Sequence, residues 1–246
     1  MAQEPANFRP KRYPAPEFPP RRVPAFAKTP PAIFPVILGL LGLTLALRLG
    51  LARLGGPAAP ADLLAGLVVP LWAFGIFAYA VKLARRPGVV LEDLKVMPAR
   101  AGLAAATMGG MAAASLLAPF LPDIAKVLLF AALALHGMLA LLVLRVLASL
   151  PPEGREVNPG WHLVFVGFIV GGPAAASLGL EGLALGLLYA TVPVAAAIWG
   201  VSVAQLARRV PPAPLRPMLA IHLAPASLFT AVAALTGQPP SPPPRN

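Results

Sequence analysis

The stretch NPGWHLVFVGFIVGGPAAASLG, residues 158–179, contains no Asp, Glu, Lys or Arg. It is long enough to cross a lipid bilayer, which takes about 20 mostly apolar residues. Pro173 follows a glycine pair within it, and a proline inside a helix removes a backbone hydrogen bond and bends the chain. In a membrane bundle such a bend persists where neighbouring helices or a water-filled cavity satisfy the released backbone groups. The stretch therefore predicts a bent inner helix that packs closely or lines a passage.

The composition of the whole chain agrees with a membrane protein. Of its 246 residues 58% are hydrophobic and only 12% are charged, with a mean hydropathy of +0.76. An average soluble domain has about a quarter of its residues charged. The chain has no cysteine, which excludes disulfides and thiolate metal sites.

Apolar runs of spanning length predict an all-α integral membrane protein with about seven transmembrane helices. Residues 1–31 form a basic, proline-rich tail, residues 32–237 the transmembrane domain, and residues 238–246 a proline-rich C-terminal tail. A charged loop is predicted over residues 85–100. The predicted spans cover residues 33–54, 63–83, 101–120, 124–147, 158–179, 183–206 and 217–236.

The distribution of Lys and Arg predicts the orientation. With the N-terminus in the cytoplasm, sixteen of the twenty Lys and Arg residues lie on the cytoplasmic side and four lie outside. Positive charge favours the cytoplasmic side, so we expect a multi-pass protein of the cell (inner) membrane with the N-terminus inside and the C-terminus outside. The N-terminal tail then serves this orientation, or it docks a partner or anionic lipid.

The spans alternate in character. The odd-numbered spans are rich in Gly, other small residues or Pro, and the even-numbered spans are bulkier, the sixth less clearly. Small residues let helix backbones approach closely, whereas large apolar side chains suit a surface that faces lipid. This pattern indicates helical hairpins with the odd helices inside, around a passage. Tight packing without a pore explains the same pattern.

Ionisable residues are scarce within the spans. None of the nine acidic residues lies deep in a span, which argues against a proton relay of carboxylates and leaves no negative field to repel an anion. No nucleotide-binding motif or pair of catalytic carboxylates occurs in the loops, so we expect neither an enzyme nor a cofactor. His136, His162 and His222 lack the spacing of metal ligands, so no metal site is predicted.

The candidate functional residues lie on the odd spans. His222 is either a hydrogen-bonded structural residue or an anion site that faces a pore. The serine and threonine hydroxyls could contact a passing anion or form hydrogen bonds between helices. A phenylalanine among Phe165, Phe168 and Phe229 could narrow the passage, although core packing is the commoner role. The pore-lining candidates are Gly39, Gly42, Thr107, Ser115, Gly167, Gly171, His222 and Ser227, with helix kinks at Pro173 and Pro225.

Several short motifs carry a resemblance to a known family. They are Pro31 to Phe34, Gly39, Gly42 and Arg48, then Trp72, Tyr79 and Lys82, then Pro87, Glu92 and Pro98, then Asn158-Pro159-Gly160-Trp161 with Val166-Gly167, and finally PLRPMLAIHLAPASL from Pro214 to Leu228. In this order and spacing the chain resembles the tellurite-resistance/dicarboxylate-transporter family, which includes the bacterial TehA-type channels and the plant slow anion channels.

The resemblance implies a ten-helix, pseudo-fivefold anion channel of five hairpins, usually a trimer. Odd helices would line the pore, anions would pass without coupling, and a phenylalanine on the ninth helix would gate the pore. With seven spans the last three helices and the gate residue have no counterpart, so the expected fold is an incomplete version of this channel. We expect a membrane channel or permease for small anions or oxyanions, or alternatively a non-conducting accessory subunit. The implied partners are the lipid bilayer, small anions, and other copies or a partner membrane chain, but no nucleic acid.

Overall fold

Helices account for most of residues 24–237, the part of the chain that the structure, a computed structural model, describes. The proposed tails therefore fall largely outside the described residues, over residues 1–23 and 238–246. The described part contains no strand. Its α-helices are α1 (Phe34–Arg53), α2 (Ala59–Arg85), α3 (Val89–Lys95), α4 (Met97–Leu117), α5 (Pro122–Ser149), α6 (Gly171–Ser177), α7 (Glu181–Arg208) and α8 (Leu223–Thr236).

Proline and glycine set several helix boundaries. Pro35, Pro60, Pro98 and Pro122 each lie at one of the first two positions of a helix, where the missing N–H would have no intrahelical partner anyway. At the end of α6, Gly179 adopts a φ of 71°, the left-handed conformation that glycine accepts without strain. The following N–H then reaches back 2.8 Å to the carbonyl oxygen of residue 175, which closes the helix end.

The expected all-α membrane fold is confirmed. Five helical segments are long and apolar enough to cross a membrane, and they coincide with the first, second, fourth, sixth and seventh predicted spans. These segments are Pro31–Arg53, Ala59–Arg85, Pro122–Ser149, Glu181–Arg208 and Arg216–Thr236. The third span corresponds to α4, which has 21 residues, and the fifth to a shorter apolar helical segment, His162–Ser177.

The fifth span changes helix type twice instead of bending once at its proline. Its chain runs as a π-helix over His162–Val166, a 3₁₀-helix over Gly167–Val170, and then α6. Pro173 is the third residue of α6, so its missing N–H falls in the first turn, where no intrahelical bond is lost. The break therefore precedes the proline.

The seventh span repeats this arrangement. A 3₁₀-helix over Ala213–His222 leads directly into α8, and Pro225 is the third residue of that helix. Both predicted kink prolines thus begin a regular α-helix after an irregular segment. The sequence shows where the irregularity ends but not where it begins.

The centre of the bundle is α4, whose residues are mostly buried. Its glycines and alanines admit α1, α2, α5 and α6 at close range, because small side chains keep helix backbones near one another. Trp72 of α2 lies against Gly109 and Gly110, where an added methyl group would meet the indole at 2.6 Å and 3.1 Å. The indole Nε1 donates to the carbonyl oxygen of Ala106 at 2.9 Å, which fixes α2 on this face.

Burial confirms the inner position of the third and fifth spans but not of the first and seventh. In the most apolar part of each span, 22% of the residues are buried in the first span and 11% in the seventh. The corresponding share is 28–33% in the even spans. Part of the exposed face of each of these two spans lines an open groove, described below. Large apolar side chains such as Leu67, Leu141 and Val203 cover the outer faces of α2, α5 and α7, as a surface in contact with lipid requires.

The predicted charged loop contains α3, held by an ionic cluster. Tyr79 Oη and Lys82 Nζ both lie 2.9 Å from Asp93 Oδ2. Lys82 Nζ also donates to the carbonyl oxygen of Thr29 at 3.1 Å, which attaches the chain preceding α1 to the same cluster. The contacts place the starts of α1 and α4 at one end of the bundle, together with most of the basic residues, and we call this the basic end.

Candidate functional site

A groove lies between α1, α4, α6 and α8, the helices that continue the odd-numbered predicted spans. It encloses a volume of about 320 Å³. Gly42 and the exposed face of α1 form one side, and the exposed face of α8 forms the other. Among its lining residues are Gly42, Arg48, Ser115, Pro173, Ser177 and Ser227. No carboxylate is among them.

The three serines of the groove differ in what their hydroxyl protons do. Ser177 donates to the carbonyl oxygen of Pro173 at 2.8 Å, and Ser227 donates to that of Leu223 at 3.1 Å. Ser115 is 5% exposed, and its Oγ has no hydrogen-bond partner within residues 24–237. Because a hydroxyl is both donor and acceptor, Ser115 can offer its proton to an anion in the groove.

Arg48 places a guanidinium, paired with a carboxylate, at the end of the groove opposite the basic end. Its Nη1 donates to the carbonyl oxygen of Leu116 at 2.9 Å, and its Nη2 forms an ion pair of 2.6 Å with Asp62 Oδ1. The guanidinium also lies 5.5 Å from the ring centroid of Phe120. These three contacts hold the guanidinium at the groove, where 17% of its side chain is exposed.

His136 and Thr107 form a pair between α5 and α4. Thr107 Oγ1 lies 2.7 Å from His136 Nδ1 and 2.9 Å from the carbonyl oxygen of Ala104. A hydroxyl has one proton, so donation to Ala104 requires the Nδ1–H of His136 to donate to Thr107. Thr107 is therefore bonded to α5 and is not among the residues that line the groove.

Gly167 and Gly171 both face α5. A methyl group added at Gly167 would lie 2.8 Å from His136 Nε2 and 2.9 Å from Met108 Sδ. One added at Gly171 would come within 3.2–3.4 Å of leucine side chains. Residues four apart lie on the same side of a helix, and the side that carries these two glycines is crowded and faces a neighbouring helix, away from the groove.

The other two histidines contact each other across the fifth and seventh spans. His162 Nε2 and His222 Nδ1 are 2.9 Å apart. Trp199 Nε1 donates to the carbonyl oxygen of His222 at 3.2 Å, just as Trp72 donates from α2 to α4. His162 Nδ1 and His222 Nε2 are buried and have no partner within the described residues. His222 is thus hydrogen-bonded, as one of the two predicted alternatives requires.

Three cavities follow one another along the bundle. A basic-end cavity of about 200 Å³ is lined by His222, and a neck of about 20 Å³ is lined by His162, Met108, Gly167, Pro225 and Leu228. Leu228 also lines the groove. The histidine pair therefore separates the basic-end cavity from the neck, and the neck adjoins the groove. The neck, lined mainly by apolar side chains, is the smallest of these three spaces.

The structure brings four of the predicted residues together in the groove and leaves the others elsewhere. Gly42, Ser115, Pro173 and Ser227 line the groove, whereas Gly39 lies on the exposed face of α1 with nothing within 4 Å of an added methyl group. The aromatic candidates pack on other rings: Phe168 on His136 with centroids 4.5 Å apart, Phe165 on Trp161 at 5.3 Å, and Phe229 on Trp199 at 6.2 Å.

Sequence reasoning missed two polar residues. Arg48 was recognisable as a charge near the end of an apolar span, but its contact with the groove depends on how α1 meets α4. Ser202 of α7 is 5% exposed, and its Oγ has no partner within the described residues. Its helix was assigned to the lipid-facing ring, so a buried serine there was not expected. The signal was a single hydroxyl between Val201 and Val203.

Comparison with known proteins adds one match. A sequence model of the family described as voltage-dependent anion channel matches residues 28–241 of this chain. No curated protein matches the chain. The matched region includes all eight α-helices, the groove, the His162–His222 pair and the His136–Thr107 pair.

Proposed function

Because the chain belongs to the voltage-dependent anion channel family, we propose that it conducts small anions passively through the groove between α1, α4, α6 and α8. The observation that carries this proposal is the lining of the groove. Among small and leucine side chains it presents the unpartnered hydroxyl of Ser115 and the guanidinium of Arg48, and Asp62, which pairs with Arg48, is not one of the lining residues. Such a surface attracts an anion without binding it so tightly that it cannot leave.

The positive charge of the basic end also supports anion conduction. Among residues 24–237, eleven Lys and Arg and four Asp and Glu lie at this end, whereas three of each lie at the opposite end. A mouth with excess positive charge raises the local concentration of anions. We place the basic end in the cytoplasm on the positive-inside rule, in the inner membrane. A reporter fused after Asn246 that is active in the cytoplasm would contradict this orientation if the chain crosses seven times.

The proposed substrates are small inorganic anions, oxyanions such as tellurite, and organic anions of the size of a C4-dicarboxylate. No carboxylate of the chain lies deep in a span, so there is no acidic residue there to couple anion movement to protons. The current should therefore follow the anion gradient alone.

Flux through purified protein in liposomes tests the proposal. With chloride, nitrate and a dicarboxylate, we expect a current whose reversal potential follows the anion gradient and ignores a pH gradient. Replacement of Ser115 by Leu should abolish the current by filling the groove, while Ser149→Ala should not change it, since the Ser149 hydroxyl already donates to Val146 outside the groove. Flux that requires a proton gradient would replace the channel with a coupled carrier.

A second candidate is a non-conducting accessory subunit, and the sparse burial of α1 and α8 favours it. A groove open along one side does not by itself enclose a passage. For conduction, other copies of the chain, such as a trimer, or a partner membrane chain would have to cover the open side between α1 and α8. Well-folded protein with no flux of any anion would favour the accessory role.

A further inference from the structure

The basic-end cavity has the features of a ligand site in its own right. It encloses about 200 Å³ between α7, the segment before the fifth span and the 3₁₀-helix Ala213–His222. We infer that it is a binding site for an oxyanion, held by Ser202, His222 and Arg209. The inference rests on the anion-conducting function proposed above and names where the anion first binds.

Ser202 provides the first observation. It lines the cavity, it is 5% exposed, and its hydroxyl has no partner within the described residues. Buried polar atoms in native proteins nearly always have a hydrogen-bond partner, whether protein, water or a bound ligand. The serine at this position therefore indicates that something polar occupies the cavity.

The histidine pair provides a second, independent donor. One proton lies between His162 Nε2 and His222 Nδ1 when both rings are neutral. If His162 donates this proton, His222 Nδ1 is the acceptor and the single proton of the His222 ring is on Nε2, an atom that has no partner within the described residues. If His222 donates it, the Nε2 atom is an acceptor instead. An oxyanion accepts hydrogen bonds and so favours the first arrangement.

Arg209 and Gln205 add polar side chains to the lining, which also includes Asn158. Both side chains are exposed, and no ion pair of Arg209 is present within residues 24–237. A guanidinium offers a planar pair of donors that match a carboxylate, phosphate or sulfate better than a spherical halide. Glu156 is the carboxylate of this cavity, and its exposed position on the rim leaves the deeper part to Ser202 and His222.

The same chemistry could come from a free oxyanion or from the phosphate of an anionic lipid headgroup, because the cavity lies at an end of the bundle. Sulfate binding to the full chain in nanodiscs of neutral phosphatidylcholine tests the first source. Native mass spectrometry of bound phosphatidylglycerol, in nanodiscs that contain it, tests the second. Sulfate is the probe because its charge does not change near neutral pH.

Two substitutions of His222 distinguish the loss of its hydrogen-bond donor from a change in packing. In His222→Asn the amide occupies the place of Nδ1, so contact with His162 is kept and the Nε2 donor is lost. In His222→Gln the amide reaches the place of Nε2, so the donor is kept. We expect Ser202→Ala and His222→Asn each to weaken binding of the occupying probe by about tenfold, as loss of one hydrogen bond to a charged group does. His222→Gln should stay within about threefold of the parent protein.

Ser149→Ala is the matched control, since Ser149 lies near the basic end of α5, away from the cavity, and its hydroxyl donates to Val146 at 2.7 Å. Imidazole ¹⁵N shifts should also show His222 protonated at Nε2 when the probe is bound. Binding of neither probe, or binding equally weakened in His222→Gln and His222→Asn with Ser202→Ala unchanged, would overturn the inference. Sulfate binding without flux would instead leave the site in place and reject conduction.

Discussion

At the scale of single residues, the bundle depends on where a side chain is absent. Gly167 allows the fifth span to lie directly on His136 and Met108, and Gly109 does the same for Trp72 on α4. By contrast, Gly39 and Gly42 of α1 have open space where a side chain would be. Glycine therefore serves close packing in the middle of the bundle and an open surface at its edge.

This contrast predicts opposite effects for the same substitution. Gly167→Ala places a methyl group 2.8 Å from a ring atom and should lower the free energy of unfolding by about 1–3 kcal/mol, as overpacked cores do. Gly39→Ala meets nothing within 4 Å and should be neutral or stabilising by up to about 1 kcal/mol, because alanine has less backbone freedom to lose. Thermal unfolding in detergent, followed by size-exclusion profile, measures both.

Comparison of the two variants also distinguishes a local packing effect from a general sensitivity of the protein to mutation. Equal midpoints for Gly167→Ala and the parent protein would show that His136 can move aside at no cost, and the crowded-face argument would fail. Gly171→Ala is an intermediate case, since its nearest contacts at 3.2–3.4 Å are the ends of flexible leucine side chains.

At the scale of elements, the sequence predicted regular helices well and irregular ones poorly. The long apolar runs that became α2, α5 and α7 were recognisable from length and composition alone. The turns of π- and 3₁₀-helix in residues 162–170 were not, because they arise from contacts with α4, α5 and α7 that a linear pattern does not contain.

The candidate site shows the same limit. Gly42, Ser115 and Ser227 are predictable because glycines and hydroxyl residues on the odd spans stand out in the sequence, whereas Pro173 is predicted only as a helix kink. Their separation from Thr107 and Gly167 depends on helix rotation. A rotation of about 100° between successive residues decides whether a side chain faces the groove or a neighbouring helix, and composition does not fix it.

The connection between α2 and α4 gives a prediction at this scale. Asp93 of α3 accepts hydrogen bonds from both Tyr79 and Lys82. The side chains of Lys82 and Asp93 are only 12% and 17% exposed. Asp93→Asn leaves a partly buried ammonium without its counter-charge and should lower the free energy of unfolding by about 2–4 kcal/mol. The measurement is unfolding of the micellar protein by a denaturing detergent.

The neighbouring acidic residue supplies the control. Glu92 pairs with Arg86, but the two side chains are 55% and 66% exposed, so Glu92→Gln should cost less than about 1 kcal/mol. Added salt should reduce this small effect and leave the effect of Asp93→Asn largely intact, because partly buried pairs are screened less. Similar losses for both variants would show that α3 is held by surface charge rather than by the cluster on Asp93.

At the scale of the whole molecule, the surface of the groove differs from the surfaces that face lipid. Its sides, α1 and α8, mix small and hydroxyl-bearing residues with the leucines Leu45, Leu49, Leu228 and Leu235, whereas large apolar side chains dominate the outer faces of α2, α5 and α7. Lipid chains suit the outer faces, and the serine hydroxyls and the Arg48 guanidinium of the groove suit water and anions. The difference predicts which parts of the bundle are wet.

Because the chain has no cysteine, single cysteines introduced in membranes report this directly. We expect Gly42→Cys and Ser227→Cys, both in the groove, to react with a negatively charged, water-soluble thiol reagent. We expect Leu67→Cys and Leu141→Cys, both exposed on the outer faces, to stay unreacted. The cysteine thiolate is the nucleophile that attacks the reagent, and it forms only where water or a polar surface stabilises its charge, which hydrocarbon does not do.

The pattern of reaction also tests the anion path. If the groove conducts, millimolar nitrate should slow the reaction at Gly42→Cys and Ser227→Cys, since reagent and anion then compete for one space. Suppose that these two cysteines do not react in membranes although both variants elute and unfold like the parent protein. Lipid or another helix would then fill the groove. Reaction that returns after the protein is dispersed as a monomer in detergent would identify that helix as part of a second copy or a partner chain, and the passage would then belong to the assembly.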